Sequence, residues 1–353
     1  MKKAPSPLVS LIPLVVLVIM LFATIRTFGS DALSGGSQVS LLATTAVCIL
    51  IGMGFYKIGW KDFELAITNN ITGVSTALII LLIIGALSGA WMISGVVPTL
   101  IYYGVQIIHP SFFLTSTCII CALVSVMTGS SWTTIATIGI ALMGIGKAQG
   151  FEEGWIAGAI ISGAYFGDKI SPLSDTTILA ASVTDTPLFR HIRYMLITTV
   201  PSLIITLVIF TVAGLSHNAG STEHIAEFSA ALAGKFHITP WLLIVPVVTG
   251  VLIAWRVPSV ITLFLSAALA GAFAVFFQPD LLQEISGLQN SEGTQSIFKG
   301  LMMTLYGGTS LQTSNEALTE LVATRGMAGM MNTVWLITVS YTHLRAHETT
   351  LHL

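Results

Sequence analysis

Residues 165–179 read YFGDKISPLSDTTIL, and this polar stretch decides how the rest of the chain is interpreted. Its neighbours are apolar, so Asp168 and Asp175 lie where hydrocarbon is expected. Pro172 ends a helix, because proline lacks an amide hydrogen and disfavours helical geometry in the residue before it. The glycine-rich run before it reads as helical, and Ser174 or Asp175 can cap the helix that resumes. The stretch therefore predicts a broken helix with charged residues at the break, with an aqueous loop between two spans as the alternative.

The composition favours a membrane protein. Of the 353 residues, 54% are hydrophobic and 8% are charged, whereas a soluble domain carries about 25% charged residues. A large soluble all-α protein is the alternative, but so few charges could not cover its surface. The net charge is −2 and no basic patch is present, so no nucleic-acid partner is expected. The C-x-x-C of Cys118 and Cys121 lies in an apolar helical run, which favours packing thiols over a redox or metal site.

Apolar runs close to the length of a bilayer crossing follow one another along the chain. They cover residues 8–24, 39–56, 71–93, 194–215, 240–255 and 258–277. We therefore predict an all-α polytopic membrane protein in the lipid bilayer of the cell (inner, plasma) membrane. Lys2 and Lys3 precede the first span, and Lys57 and Lys61 follow the second. Because cytoplasmic loops are enriched in lysine and arginine, this pattern predicts a cytoplasmic N-terminus.

Two parts of the chain resemble each other in the same order. PLVSLIP at residues 7–13 and PWLLIVP at residues 240–246 place two prolines at the same spacing, and each opens a span. ITGVSTALIIL at residues 71–81 has a counterpart in MAGMMNTVWLI at residues 327–337. This order predicts an inverted repeat, a plan that places the substrate site of secondary transporters at the midplane. Chance similarity among apolar helices is the alternative.

The repeat sets the expected domain boundaries. We expect a first repeat at 1–215 with a hairpin at 111–146 and a broken helix at 154–186, an external loop at 216–238, a second repeat at 239–340, and a tail at 341–353. The second repeat is expected to be incomplete, because its apolar pattern stops before any counterpart of the hairpin. The tail interrupts an apolar run abruptly and is expected to be non-native, so it is excluded from this interpretation of the fold.

The hairpin prediction rests on residues 111–146, where two short apolar arms flank TGSSWTT at residues 128–134. Each arm is short for a full crossing, which favours a re-entrant hairpin with a polar tip. Unpaired backbone groups at membrane depth are tolerated only where protein or water lines the site. Hydroxyl and carbonyl oxygens are hard ligands that suit a cation such as sodium. A surface loop between two spans is the alternative.

The motifs carry a family resemblance. GDKISPLSDTT at residues 167–177 closely resembles the signature of the NhaC-type sodium/proton antiporters, within the ion-transporter superfamily. TGSSWTT and RGMAGMMNTVWLI at residues 325–337 support this resemblance, which covers nearly all of residues 5–340. It implies an exchange of sodium for protons on an inverted repeat of spans, hairpins and broken helices. Some relatives are implied to exchange organic acids, such as malate and lactate, with coupled ions.

The residues and the resemblance suggest one mechanism. A carboxylate partly removed from water has a raised pKa, so it can hold either a proton or a sodium ion and can couple the two flows by alternating access. We predict Asp168 and Asp175 as the exchanging carboxylates and favour Asp175, because hydroxyls surround it. The predicted neutral oxygen ligands are Ser171, Ser174, Thr176, Thr177, Ser130, Ser131 and Thr133. Lys169 is the predicted charge partner of an aspartate when the cation is absent, with an ordinary salt bridge or interfacial snorkelling as alternatives.

Three classes of function follow from these features. We predict a secondary active transporter that exchanges Na+ for H+. An organic-acid exchanger of the malate or lactate type is the alternative on the same scaffold, and Lys169 is then the cationic candidate in the central motif. A membrane-embedded enzyme is disfavoured, because the aspartates lack an intramembrane histidine partner. We therefore expect no enzymatic activity, no cofactor and no metal beyond the transported Na+, and a homodimer is compatible with the sequence.

Overall fold

The structure is a computed structural model, which describes residues 7–172, 174, 176–177, 180–181, 184, 186–216, 222–255, 257–288 and 293–351. The helices are α1 (Pro7–Phe28), α2 (Gly36–Phe55), α3 (Trp60–Ile93), α4 (Val96–Ile107), α5 (Phe113–Thr128), α6 (Ser131–Thr134), α7 (Ile140–Ala148), α8 (Glu153–Ile170), α9 (Leu188–Ser216), α10 (Thr222–Lys235), α11 (Ile244–Ala254), α12 (Ser259–Phe277), α13 (Pro279–Ser286), α14 (Gly293–Tyr306), α15 (Glu316–Val322) and α16 (Gly326–Leu351). Within these ranges strand-like pairing is limited to one isolated antiparallel bridge between Thr309 and Thr324.

Six of the described helices are long and apolar enough to cross a membrane. They contain the segments Leu11–Phe28, Gly36–Phe55, Trp60–Ile93, Pro110–Met127, Leu188–Ser216 and Ser259–Phe277. A bent pair, Ala226–Lys235 with Pro240–Ala254, adds a seventh if it is one span. Large apolar side chains such as Phe22 and Ile205 are more than half exposed, which suits contact with lipid chains. The prediction of an all-α polytopic membrane protein is therefore confirmed.

The chain divides into two compact units. The first unit contains residues 1–82 and 329–353, and its described part packs α1 against α2. The hydroxyls of Thr24 and Ser40 lie 2.9 Å apart across this pair. Phe63 is fully buried in a small cluster with Cys48, Ile58 and Ala346. These contacts hold together three helices and the C-terminal helix of this unit.

The expected tail is helical where it is described. Residues 341–351 continue α16 without a break, and Ala346 is fully buried. The Asn70 side-chain amide donates to the Tyr341 carbonyl oxygen at 2.8 Å. The non-native origin of this segment stays a prediction, as do the domain boundaries drawn from the repeat.

The second unit contains residues 83–328, and its most extensive described helix contact joins α5 and α8. A Cβ atom at Gly163 would overlap the Cys118 carbonyl oxygen, and one at Gly167 would lie 2.5 Å from the Ala122 carbonyl oxygen. Only glycine permits so close an approach of two helix backbones. Gly158 makes only ordinary contact with Phe210, so it adds nothing to this packing. Gly163 and Gly167 therefore bring α8 close to α5, whereas Gly158 does not.

Residues 222–235 form α10, although the sequence assigned 216–238 to a loop. Phe228, Leu232 and Phe236 are buried at a spacing of four residues, which is the stripe of an amphipathic helix. The chain then bends by 91° into the Pro240–Ala254 segment. The buried Gln278 side chain secures this bend by accepting from the His237 amide at 3.1 Å and donating to the His237 carbonyl at 3.0 Å. The external location of residues 216–238 stays a prediction.

Candidate functional site

The hairpin tip is a tight turn between α5 and α6. Gly129 adopts φ 67°, a left-handed conformation that suits glycine, and its amide bonds to the Ser125 carbonyl at 2.9 Å. The Ser130 hydroxyl then caps α6 by accepting from the Thr133 amide at 3.2 Å. Ser131 is only 2% exposed, so the tip is buried in protein. This burial disfavours a loop in water. The first arm, Pro110–Met127, is long and apolar enough to cross a membrane, so the expectation that it is too short was wrong, and the re-entrant hairpin stays a prediction.

The predicted break lies at the end of α8. The helix ends at Ile170, and Ser171 has extended backbone angles before Pro172. Ser171 and Ser174 are fully buried, which disfavours an aqueous loop at this point. α8 therefore ends where the sequence predicted, because the proline lacks an amide hydrogen, and the broken helix over residues 154–186 stays a prediction.

The hairpin tip contacts the end of α8 where Ser131 meets Asp168. The Ser131 hydroxyl donates to Asp168 Oδ2 at 2.9 Å, although 37 residues separate them in the chain. Asp168 is half-buried, so its carboxylate is partly shielded from solvent by protein. A half-buried carboxylate with a hydroxyl partner is a group that can take up either a proton or a hard cation.

The hydroxyls around the break bind the local backbone. Thr177 donates to the carbonyl oxygens of Asp168 and Lys169, both at 3.2 Å. These carbonyls belong to the last turn of α8, where helical partners run out, and the Asp168 carbonyl also accepts weakly from the Ser171 amide at 3.4 Å. The Ser174 hydroxyl accepts from the Thr177 amide at 3.4 Å, as predicted for a helix cap, and lies 2.9 Å from the Thr176 hydroxyl. Three of the predicted oxygen ligands therefore stabilise the shape of the break.

Thr133 differs from the other hydroxyls of the tip. Its Oγ1 is buried, and within the described part of the chain it has no hydrogen-bond partner. Buried polar atoms are nearly always paired, so an unpaired hydroxyl close to Ser131 indicates unused binding capacity. Its role as an ion ligand stays a prediction.

The two remaining charged residues of the motif have separate outcomes. Asp175, the favoured carboxylate, lies outside the described residues. The Lys169 side chain is exposed, and among the described residues it forms no ion pair. The roles of Asp175 as an exchanging carboxylate and of Lys169 as a charge partner both stay predictions.

Sequence reasoning missed Ser125. Its side chain is fully buried in α5, and its hydroxyl donates to the Ala164 carbonyl of α8 at 2.5 Å. The signal was present as a stripe of small residues on one face of α5, at Cys118, Cys121, Ala122 and Ser125. Both cysteines are free and buried against α8, which agrees with their prediction as packing thiols.

Comparison with known protein families gives one strong match. The sequence model of the Na+/H+ antiporter family matches residues 5–179 and residues 163–348. Together these two matches cover most of the chain, including the hairpin tip and the broken helix.

Similar proteins are known from bacteria. The chain is 38% identical over 305 residues to a malate-2H+/Na+-lactate antiporter of Bacillus subtilis, covering 85% of this chain and 61% of that protein. It is 37% identical over 284 residues to a Na+/H+ antiporter NhaC of Bacillus subtilis, covering 80% and 59%. It is 36% identical over 301 residues to a Na+/H+ antiporter NhaC of Alkalihalophilus pseudofirmus, covering 84% and 62%.

The matched chain spans about three fifths of the length of these relatives. No solved structure gives a significant match.

Proposed function

We propose, because this chain belongs to the Na+/H+ antiporter family, that the protein exchanges Na+ for H+ across the cell membrane by secondary active transport. The family consists of transporters, and the polytopic helical fold suits that class. The proposed exchange uses Asp168 at the helix break as one carboxylate that binds Na+ and H+ in turn.

One observation carries the proposal, namely the hydrogen bond from Ser131 to Asp168 at 2.9 Å. It joins the turn after α5 to the end of α8, and irregular backbone of this kind is what secondary transporters use to build ion sites. We place Asp168 at membrane depth as part of this proposal, where a carboxylate is unfavourable by at least about 2.5 kcal/mol on insertion scales and is therefore retained for a function.

A hydroxyl partner suits both states of the carboxyl group. Ser131 donates to the charged carboxylate, and by rotation it can accept from a protonated carboxyl or turn a lone pair towards Na+. The same two residues can therefore accommodate a proton or a cation without a change of backbone. Competition of the two ions for Asp168 then couples their opposite flows.

Further oxygen ligands are proposed from both sides of this contact. The Thr133 hydroxyl is buried and unpaired in the described part, so it can turn a lone pair to Na+ without losing a protein hydrogen bond. Ser130, Ser171, Ser174, Thr176 and Thr177 are proposed as additional or supporting ligands, and Asp175 as a second exchanging carboxylate. A site of carboxylate and hydroxyl oxygens suits a hard cation such as Na+.

A second candidate is exchange of an organic acid coupled to Na+ and H+. The similarity to a malate-2H+/Na+-lactate antiporter favours it, at 38% identity. Lys169 supports it too, because an exposed ammonium group without an ion pair in the described part can attract a carboxylate substrate. In the first candidate, Lys169 instead pairs with an aspartate when Na+ is absent.

The finer topology is also a proposal. Lys2 and Lys3 before α1 and Lys57 and Lys61 after α2 support a cytoplasmic N-terminus. A homodimer is proposed as one assembly that the fold permits, and the native membrane is proposed to be the plasma membrane.

The test is transport in everted membrane vesicles that contain the complete gene product. The vesicles are acidified inside, the pH gradient is followed by quenching of a fluorescent amine, and NaCl is added. Dequenching on addition of Na+ alone supports Na+/H+ exchange. Dequenching only when malate or lactate is also present supports the second candidate, and no dequenching under either condition contradicts both.

A further inference from the structure

Ser125 of α5 contacts the turn of α8 that leads to Asp168. Its hydroxyl donates to the Ala164 carbonyl oxygen at 2.5 Å, and Ser125 is fully buried. In an α-helix the amide four residues later donates to the same carbonyl, and in α8 that amide belongs to Asp168. Ser125 therefore bonds to the peptide group on which the position of Asp168 depends.

Val126, the next residue of α5, accepts a second hydrogen bond from a residue that follows Asp168 in the chain. The Ser171 hydroxyl donates to the Val126 carbonyl oxygen at 2.8 Å. Val126 lies in the last turn of α5, where carbonyl groups lack helical partners. Two consecutive residues of α5 thus bind α8 before and after Asp168, at residues 164 and 171.

Close backbone packing leaves these two bonds little freedom. A Cβ atom at Gly167 would lie 2.5 Å from the Cβ atom of Ser125. The hairpin tip begins at Gly129, only four residues after Ser125 on the same helix. The distance from the tip to the carboxylate is therefore set by the contact between α5 and α8.

We propose that Ser125 is a positioning residue for ion exchange at Asp168. Its bond to Ala164, together with the bond from Ser171 to Val126, holds the carboxylate within hydrogen-bond distance of Ser131. This inference rests on the proposed function and adds a residue that does not itself contact the ion. Loss of the bond lets the α8 turn shift, so Na+ meets a less well assembled set of oxygens.

The experiment is the Na+ dependence of exchange for Ser125→Ala in the complete gene product. Because one hydrogen bond contributes about 1 kcal/mol, the KM for Na+ is expected to rise about 3- to 10-fold. The maximal rate per transporter in the membrane is expected to stay within about twofold, since the Asp168 carboxylate is intact. A purely structural role would lower the amount of folded protein and leave the KM unchanged, and that result overturns the proposal.

Thr115 offers a matched control on the same helix. Its hydroxyl lies 2.9 Å from the Thr211 hydroxyl of α9, so Thr115→Val also removes a hydrogen bond between two spans. This bond is far along α5 from Asp168, and the KM for Na+ is expected to stay at the wild-type value. An equal rise in KM for both variants contradicts a specific role for Ser125.

Two further variants keep the outcome unambiguous. If Ser125→Ala does not accumulate in membranes, Ser125→Cys replaces it, because a thiol is a weaker donor and the same direction of change is expected. Asp168→Asn is measured in parallel. If it retains full exchange, the proposed site and the positioning role are both wrong. If it loses exchange while the Ser125 variants keep the wild-type KM, only the positioning role is wrong.

Discussion

Two helix breaks lie within residues 83–328, one after α8 and one just before Gly326, and their backbone groups are bonded differently. After α8 the backbone carbonyls of Asp168 and Lys169 are bound by the Thr177 hydroxyl. Between α15 and α16 the backbone of Thr324 pairs with the backbone of Thr309 through two hydrogen bonds of 2.9 Å. A side-chain hydroxyl binds the backbone carbonyls at the first break, whereas backbone groups bind each other at the second.

This difference distinguishes a candidate ion-binding site from a purely structural break. The Thr309 and Thr324 hydroxyls lie 2.6 Å apart and bind each other, and residues 323–326 contain no carboxylate. At the first break a carboxylate is bonded to a serine from another helix, and side-chain hydroxyls can change partners at little cost. Interruption of a helix alone therefore does not indicate ion binding. Ion binding is indicated by the chemistry of the groups that bond to the interrupted backbone.

The largest expected effect is that of Asp168→Asn. An amide can neither release a proton nor supply a negative charge to Na+, so exchange in vesicles should fall to the background of membranes without the protein. Asp280→Asn is the control, because Asp280 is exposed on α13 and should leave exchange unchanged. Wild-type exchange by Asp168→Asn would move the site elsewhere, with Asp175 the next carboxylate to replace.

At the second break, Gly326→Ala should be the most damaging change. Gly326 has φ 55°, and a Cβ atom there would lie 2.6 Å from the Gly307 carbonyl oxygen. Left-handed strain and overpacking together predict a loss of about 2–5 kcal/mol, measured as a lower melting temperature in detergent.

Gly234→Ala is the matched control for that change. A Cβ atom at Gly234 meets nothing within 4 Å, so this variant of α10 should be neutral or more stable by about 0.5–1 kcal/mol. Equal melting temperatures for the Gly326 and Gly234 variants would show that the second break is not rigidly closed.

A smaller effect is expected for Ser131→Ala. Removal of a hydrogen bond to a charged group should raise the KM for Na+ by about tenfold, with folding largely preserved. The measurement is exchange rate against Na+ concentration, with the melting temperature followed in parallel. An unchanged KM would mean that the contact with Asp168 is structural, and the two breaks would then differ less than proposed.

The smallest effect is expected for Thr324→Val at the second break. The substitution removes one hydroxyl of the 2.6 Å pair and keeps the backbone bridge. Stability should fall by about 1 kcal/mol, and the KM for Na+ should not change. A raised KM would show that this break also contributes to the ion path and would end the distinction drawn here.

Much of the fold could be predicted because hydrophobicity and proline act locally. The long apolar helices, the turn after Thr128 and the break at Pro172 follow from run length, glycine and the missing proline amide. The helix at Thr222–Lys235 was missed, because its polar composition obscured the stripe of Phe228, Leu232 and Phe236. A count of charges does not detect amphipathic periodicity.

The candidate site could be predicted only in part. The motif identified Asp168 and the hydroxyls by residue type, but most of those hydroxyls turn out to bind backbone groups. The packing of α5 against α8 decides two contacts that the motif does not reveal. Ser131 is the serine that bonds to Asp168, and Ser125 bonds to the Ala164 carbonyl one turn earlier in α8.

The sequence by itself determined that this chain enters a bilayer, where its helices break, and which polar residues lie at the breaks. These properties depend on neighbours within a few residues, so they can be predicted from the amino-acid sequence alone. Only the tertiary structure decided that Ser131 meets Asp168 and that Thr309 pairs with Thr324. The first contact joins two helices and the second joins two segments between helices, and tertiary packing rather than local sequence sets the distances in both.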